Sequence, residues 1–122
     1  MIQSLLEIPY STEHDCRWVV CEWLKQCFAD FDEDDMPSSE SAQRVLAEGR
    51  KTRWLKVGEA VSSATRIGDV IYGERENGHP YVAAMVDLVG RSAVTSNRER
   101  KHSHLVAVSN LTGVKGVYRR HS

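Results

Sequence analysis

The chain has 122 residues and a formal net charge of −1 at neutral pH, with 41% of its residues hydrophobic and 27% charged. This length and composition predict one soluble globular domain with a single core. The balanced charge excludes a global attraction to nucleic acid or to anionic membranes, and no apolar run is long enough to span a bilayer. The N-terminal "MIQSLLEIPY" lacks a basic segment, which predicts synthesis in the cytoplasm without a signal peptide.

Residues 1–9 are predicted to form a short strand or an arm that packs on the body of the domain. A helix should follow, because Ser11, Thr12 and Asp15 all offer N-cap side chains. We expect it to run to about Phe28. Its apolar residues recur at the spacing of one buried helix face; they are Cys16, Val19, Val20, Trp23, Leu24 and Cys27.

The next segment combines an acidic run with helical patterns. "DFDEDDMP" at 30–37 is interpreted as a solvated loop, since it lacks the glycine and glutamate that a calcium loop needs at fixed offsets. "SSESAQRVLAEGR" at 38–50 predicts a second helix, with a serine cap at its start and a glycine at its end. "WLKVGEAVSSAT" at 54–65 predicts a shorter helical or turn-rich segment.

From there the pattern changes to strands separated by turn-rich sequences. The predicted strands lie near 69–74, 80–87, 91–96, 104–109 and 114–119. Helices followed by a meander indicate an α+β domain, in which N-terminal helices pack on a C-terminal antiparallel sheet. We therefore predict one domain over 1–122, with an arm (1–9), a helical part (10–66) and a sheet (67–122).

Cys16 is the candidate nucleophile, because it follows Asp15 in the predicted first turn of the helix. Free N–H groups at a helix N-terminus lower a thiol pKa and offer an oxyanion site. Buried packing is the alternative role for this cysteine. The three cysteines are an odd number and have no metal-knuckle spacing, so we expect reduced thiols, no disulfide framework and no metal.

Histidines are the candidate bases. His79 precedes a predicted strand, and His102 and His104 stand at the entry of a later strand, where they should point the same way. Each alone is typical of a surface histidine. The sequence contains neither a GxSxG elbow nor a glycine-rich phosphate loop. The basic cluster "RERK" at 98–101 is interpreted as a solvated turn, so nucleic acid is not an expected partner.

Several stretches, taken in order, resemble the NlpC-type cysteine peptidases of the papain-like superfamily, including their reduced relatives in phage tails. They are "DCRWVV" (15–20), "MPSSESAQRVLAEG" (36–49), "KVGEAVSSATRIGDVIY" (56–72), "HPYVAAMVD" (79–87), "GRSAVTSN" (90–97) and "VKGVYRR" (114–120). The resemblance implies a papain-like core and hydrolysis of peptide bonds in bacterial cell-wall stem peptides, without metal or other cofactor. Cys16 would be the nucleophile, a strand histidine the base, and a third polar group would orient that histidine.

The chain departs from the family pattern at the histidine. In the family register Tyr81 stands at the histidine position, and His79 comes two residues earlier. Two residues are one strand period, so both side chains should share a face, with His79 displaced by about 7 Å. The third polar position falls near Thr95 or Asn97, of which Asn97 is the better chemical match and Thr95 the better match in register.

Three hypotheses follow. The chain is a peptidase or amidase of peptidoglycan carried in a phage tail or virion. Alternatively, it is an inactive protein of the same fold that binds other virion proteins as a structural or adaptor component of a tail or head–tail assembly. The third hypothesis is an unrelated α+β binding domain. The proximity of Cys16 to an imidazole distinguishes the first from the others.

Overall fold

The computed structural model describes residues 1–32 and 54–120, which together form one α-helix and six β-strands, an α+β architecture. The helix, α1, spans Cys16–Cys27. The strands are β1 (Trp54–Gly58), β2 (Val70–Glu74), β3 (Pro80–Asp87), β4 (Ser92–Ser96), β5 (Ser103–Ala107) and β6 (Val114–Arg120). Short 3-10 helices lie at Ile2–Leu5, Val61–Ser63 and Val108–Asn110. The predicted second helix and most of the acidic run lie outside the described residues.

The six strands form one antiparallel sheet in the order β1-β6-β2-β3-β4-β5. The prediction of an antiparallel sheet that carries helical structure is confirmed in this coarse form. The prediction for 54–58 is wrong, because these residues are a strand and not a helical segment. They pair with β6, so the sheet begins before the predicted boundary at residue 67.

Helix α1 begins where the sequence predicts. Asp15 is its N-cap, with extended backbone angles, and its carboxylate accepts the N–H of Trp18 at 2.9 Å. This bond satisfies one of the N–H groups that the first turn leaves free. The helix ends at Phe28, which leaves the helical conformation. Ser11 does not cap the helix, because its hydroxyl accepts the His14 N–H in the preceding turn.

The sheet has two buried faces. Helix α1 packs on one face through Val19, Val20, Cys21 and Leu24, and the strands supply Val70, Tyr72, Val82, Ala84, Val94 and Tyr118 to the same cluster. A second cluster lies on the other face and contains Ala64, Ile71, Ala83, Met85, Ala93, Val108 and Val117. Neighbouring residues of β3 therefore alternate between the face that carries α1 and the opposite face.

The N-terminal arm packs on the body as predicted, through a 3-10 helix and one bridge. Leu5 joins the cluster beneath α1, and Pro9 forms an isolated antiparallel bridge with His102 beside β5. Within residues 1–32 and 54–120, no helix is long and apolar enough to cross a membrane.

Candidate functional site

Cys16 is the first residue of α1 and faces the sheet at the start of β3. Burial raises the pKa of its thiol and is the largest influence on it. Backbone hydrogen bonds from Val82 and Arg17 and the charge of Arg75 act in the opposite direction, while the adjacent carboxylate of Asp15 raises the pKa further. The net effect is a raised pKa, so the thiol is protonated at neutral pH.

Asp15 stands at the helix start, where the sequence predicts an oxyanion site, and its carboxylate caps the first turn. It accepts the Trp18 N–H and brings negative charge next to the sulfur. A carboxylate there disfavours both a thiolate and a developing oxyanion. Its role in this structure is to cap the helix.

His79 lies in the turn between β2 and β3 and is exposed. Its N–H donates to Asn77 Oδ1 at 3.0 Å, and its carbonyl accepts the Arg75 N–H at 2.9 Å. The hydrogen bonds of His79 thus stay within its own turn. Among the described residues, the side-chain charges that act on the Cys16 thiol are those of Asp15 and Arg75.

Tyr81 belongs to the face of β3 opposite α1, since it alternates with Val82, which packs beneath the helix. Its hydroxyl donates to the Thr112 carbonyl at 2.6 Å. The ring packs over Gly73, where an added Cβ would lie 2.4 Å from the ring. The residue at the family's histidine position is thus a packed phenol on the far side of the sheet from Cys16.

Replacing Tyr81 by phenylalanine is expected to lower the free energy of unfolding by about 1 kcal/mol, because it removes one hydrogen bond and keeps the ring. Urea unfolding measures this cost. Alkylation of Cys16 in the folded variant should keep the wild-type rate, since the two side chains lie on opposite faces. A changed rate would show that the phenol acts on the thiol.

Thr95 and Asn97 both make hydrogen bonds to the backbone. Thr95 is buried, and its hydroxyl donates to the Val82 carbonyl at 2.8 Å. Asn97 Oδ1 accepts the Arg100 N–H at 2.7 Å and shapes the turn between β4 and β5. These bonds hold the sheet and its hairpin, and neither side chain is bonded to a histidine ring.

Sequence reasoning missed the roles of Arg75 and Ser96 near these positions and named His104 only as one of several candidate bases. Arg75 influences both the Cys16 thiol and the buried imidazole of His104. His104 lies opposite Thr95 across the β4–β5 ladder. Ser96 is buried, and its hydroxyl has no hydrogen-bond partner among the described residues. Only the spacing of His102 and His104 was visible in the sequence, because the other two positions depend on long-range pairing.

Comparisons of the chain with protein-family models, curated proteins and solved structures gave no match. Within the described residues, no group of three or more His, Cys, Asp or Glu side chains could hold a metal ion. At the start of α1 the structure places a half-buried thiol with a raised pKa beside the capping carboxylate of Asp15.

Proposed function

We propose that the chain is an NlpC-like domain with a papain-like core that has kept its scaffold and lost thiol catalysis. It works as a structural or adaptor protein, of the kind built into a phage tail or head–tail assembly, and its partners are other virion proteins. The observation that carries the proposal is the placement of Tyr81. The family's histidine position holds a tyrosine that faces away from the helix bearing Cys16.

The arrangement of the matching stretches supports the papain-like part. Asp15 and Cys16 begin a helix that packs on an antiparallel sheet. The later stretches that resemble the family supply β2, β3, β4 and β6 of that sheet. The "GDVI" stretch enters β2, and the closing stretch is β6, which pairs with β2.

The raised pKa of Cys16 supports the loss of catalysis. A thiol attacks as thiolate, so a cysteine peptidase needs a depressed pKa or an adjacent base. Here burial and Asp15 both favour the neutral thiol. The hydrogen-bonded roles of Thr95 and Asn97 leave the third position of a triad unfilled as well.

A second candidate function is the peptidase or amidase acting on peptidoglycan stem peptides. One observation favours it: Cys16 begins the helix and receives backbone hydrogen bonds from Val82 and Arg17, which lower its pKa. This hypothesis requires a histidine to approach the sulfur when substrate binds.

The experiment is the pH dependence of iodoacetamide labelling at Cys16, resolved by peptide mass spectrometry, in the wild type and in His79→Ala. We expect slow labelling, with an apparent pKa above the free value of about 8.5, and the same profile in both proteins. The urea-unfolded protein is the control and should label with the ordinary profile. A depressed pKa that returns toward the free value in His79→Ala would establish a cysteine–histidine pair and favour the peptidase.

The structural role has its own test. The chain should be present at a fixed stoichiometry in purified virions of a phage that encodes it, measured by quantitative mass spectrometry. Its absence from particles would contradict the assembly role even if Cys16 proves inert.

A further inference from the structure

The N-terminal arm is attached to the protein at one corner of the sheet, where β5 begins. The Glu7 N–H donates to the Ser103 carbonyl at 2.8 Å, and the Ser103 N–H donates to the Ile8 carbonyl at 2.9 Å. The Tyr10 N–H donates to the Lys101 carbonyl at 2.9 Å. The arm thus pairs along residues 101–103 in the manner of an added edge strand.

Side-chain bonds fix the same pairing. The Ser103 hydroxyl donates to the Leu5 carbonyl at 2.5 Å and accepts the Ile8 N–H at 2.9 Å. Leu5 is only 8% exposed because it packs into the cluster beneath α1. Docking of the arm therefore depends on the backbone of 101–103 keeping its position.

His104 follows this backbone directly and is buried, with 8% of its surface exposed. Its Nδ1 lies 2.9 Å from the His102 carbonyl, so Nδ1 carries the hydrogen and a further proton would enter at Nε2. The rings of His102 and His104 meet edge to face, with centroids 6.0 Å apart.

Three basic side chains contribute to the electrostatics of the His104 ring. Arg100 and His102 act on it from its own hairpin, and Arg75 acts on it from the β2–β3 turn. The facing residue of β4 is the uncharged Thr95. Glu7 of the arm is an exposed carboxylate bonded at the same corner through its N–H. Burial is the main cause that lowers the pKa of His104, and the cations lower it further against the hydrogen bond to His102.

We propose that this corner is an acid-sensitive attachment of the N-terminal arm, in which protonation of His104 loosens residues 101–104 and releases residues 1–10 from the edge of β5. A group whose pKa is lowered in the docked form binds protons more readily in the open form. The arm is therefore held above the ordinary histidine pKa of about 6.5 and is released as the pH falls below it. Release uncovers the start of β5 as an unpaired strand edge.

The test is amide hydrogen exchange, followed by mass spectrometry or NMR and expressed as protection factors, at about pH 7.5 and about pH 5. In the wild type, protection at Glu7, Tyr10 and Ser103 should fall severalfold at the lower pH, while the core amide of Ile71 stays protected. In His104→Gln, which keeps an N–H donor, the arm should stay protected at both pH values. The matched control is His79→Gln, which removes an exposed histidine from the neighbouring turn and should respond to acid like the wild type.

Equal arm protection at both pH values in the wild type would overturn the proposal, as would a normal acid response in His104→Gln. If His104→Gln does not fold, the pH dependence of arm protection in the wild-type protein still tests the proposal. The midpoint of arm release must coincide with the NMR titration of the His104 ring, and a clear separation of the two midpoints would overturn the proposal.

Discussion

Replacing Asp69 by alanine is expected to lower the free energy of unfolding by about 3 kcal/mol, since it removes a buried carboxylate that accepts two bonds from a partly exposed guanidinium and two from backbone N–H groups. Asp69 is 1% exposed and accepts two bonds from Arg119, at 2.9 Å from Nε and 2.7 Å from Nη2. It also accepts the N–H groups of Thr65 and Arg66, each at 3.0 Å. The variant leaves all these donors without their acceptor and opens a gap between β2 and β6.

Chemical denaturation with urea measures the loss. Asp87→Ala is the matched control, because that exposed carboxylate also accepts two backbone N–H groups, from Val89 and Gly90, and has no guanidinium partner among the described residues. We expect it to cost less than about 1 kcal/mol. Equal losses in the two variants would mean that the Arg119 pair adds nothing beyond two turn hydrogen bonds.

The Gly-Asp pair before β2 has a structural role in this fold. Gly68 adopts a φ of +89°, and an added Cβ would lie 2.9 Å from the Phe28 ring, so the position requires glycine. Asp69 then ties the entry of β2 to β6. Both residues of the pair thus stabilise the entry of β2.

Strands β2 to β6 were predictable because their signals are local. Alternating or continuous apolar runs are separated by turn sequences, and the predicted 80–87 coincides with β3. Strand β1 was missed because it ends in a glycine and most of its side chains lie outside the core, so it lacks the apolar pattern of the other strands. Its strand conformation comes from pairing with β6, about sixty residues later, which no local pattern reports.

The start of α1 was also predictable, since Asp15 is a strong N-cap residue and the apolar stripe begins beside it. The residue of β3 that faces Cys16 was not predictable from the sequence. Strand periodicity separates the Tyr81 side chain from that of Val82, but it does not say which of the two faces the helix. The tertiary packing decides this, and it presents Val82 to Cys16 and turns Tyr81 away. A shift of one residue in the register of β3 would therefore exchange the faces of Tyr81 and Val82 and place position 81 on the side of Cys16.

Replacing Leu24 by alanine is expected to lower the free energy of unfolding by about 3 kcal/mol, through lost burial and the cavity that remains. Leu24 is fully buried between α1 and the sheet. Gln26→Ala, two residues along the same helix, changes an exposed side chain and should leave stability within about 0.5 kcal/mol of the wild type. Urea unfolding followed by tryptophan fluorescence compares the two.

A loss in Leu24→Ala no larger than in Gln26→Ala would contradict the packing of α1 on the sheet. That packing positions Cys16 against Val82, so the environment of the thiol depends on it. A large loss confined to Leu24→Ala would support it. Under the proposed scaffold role, the buried face of α1 is the essential feature of the helix, and the thiol at its start is one more packed side chain.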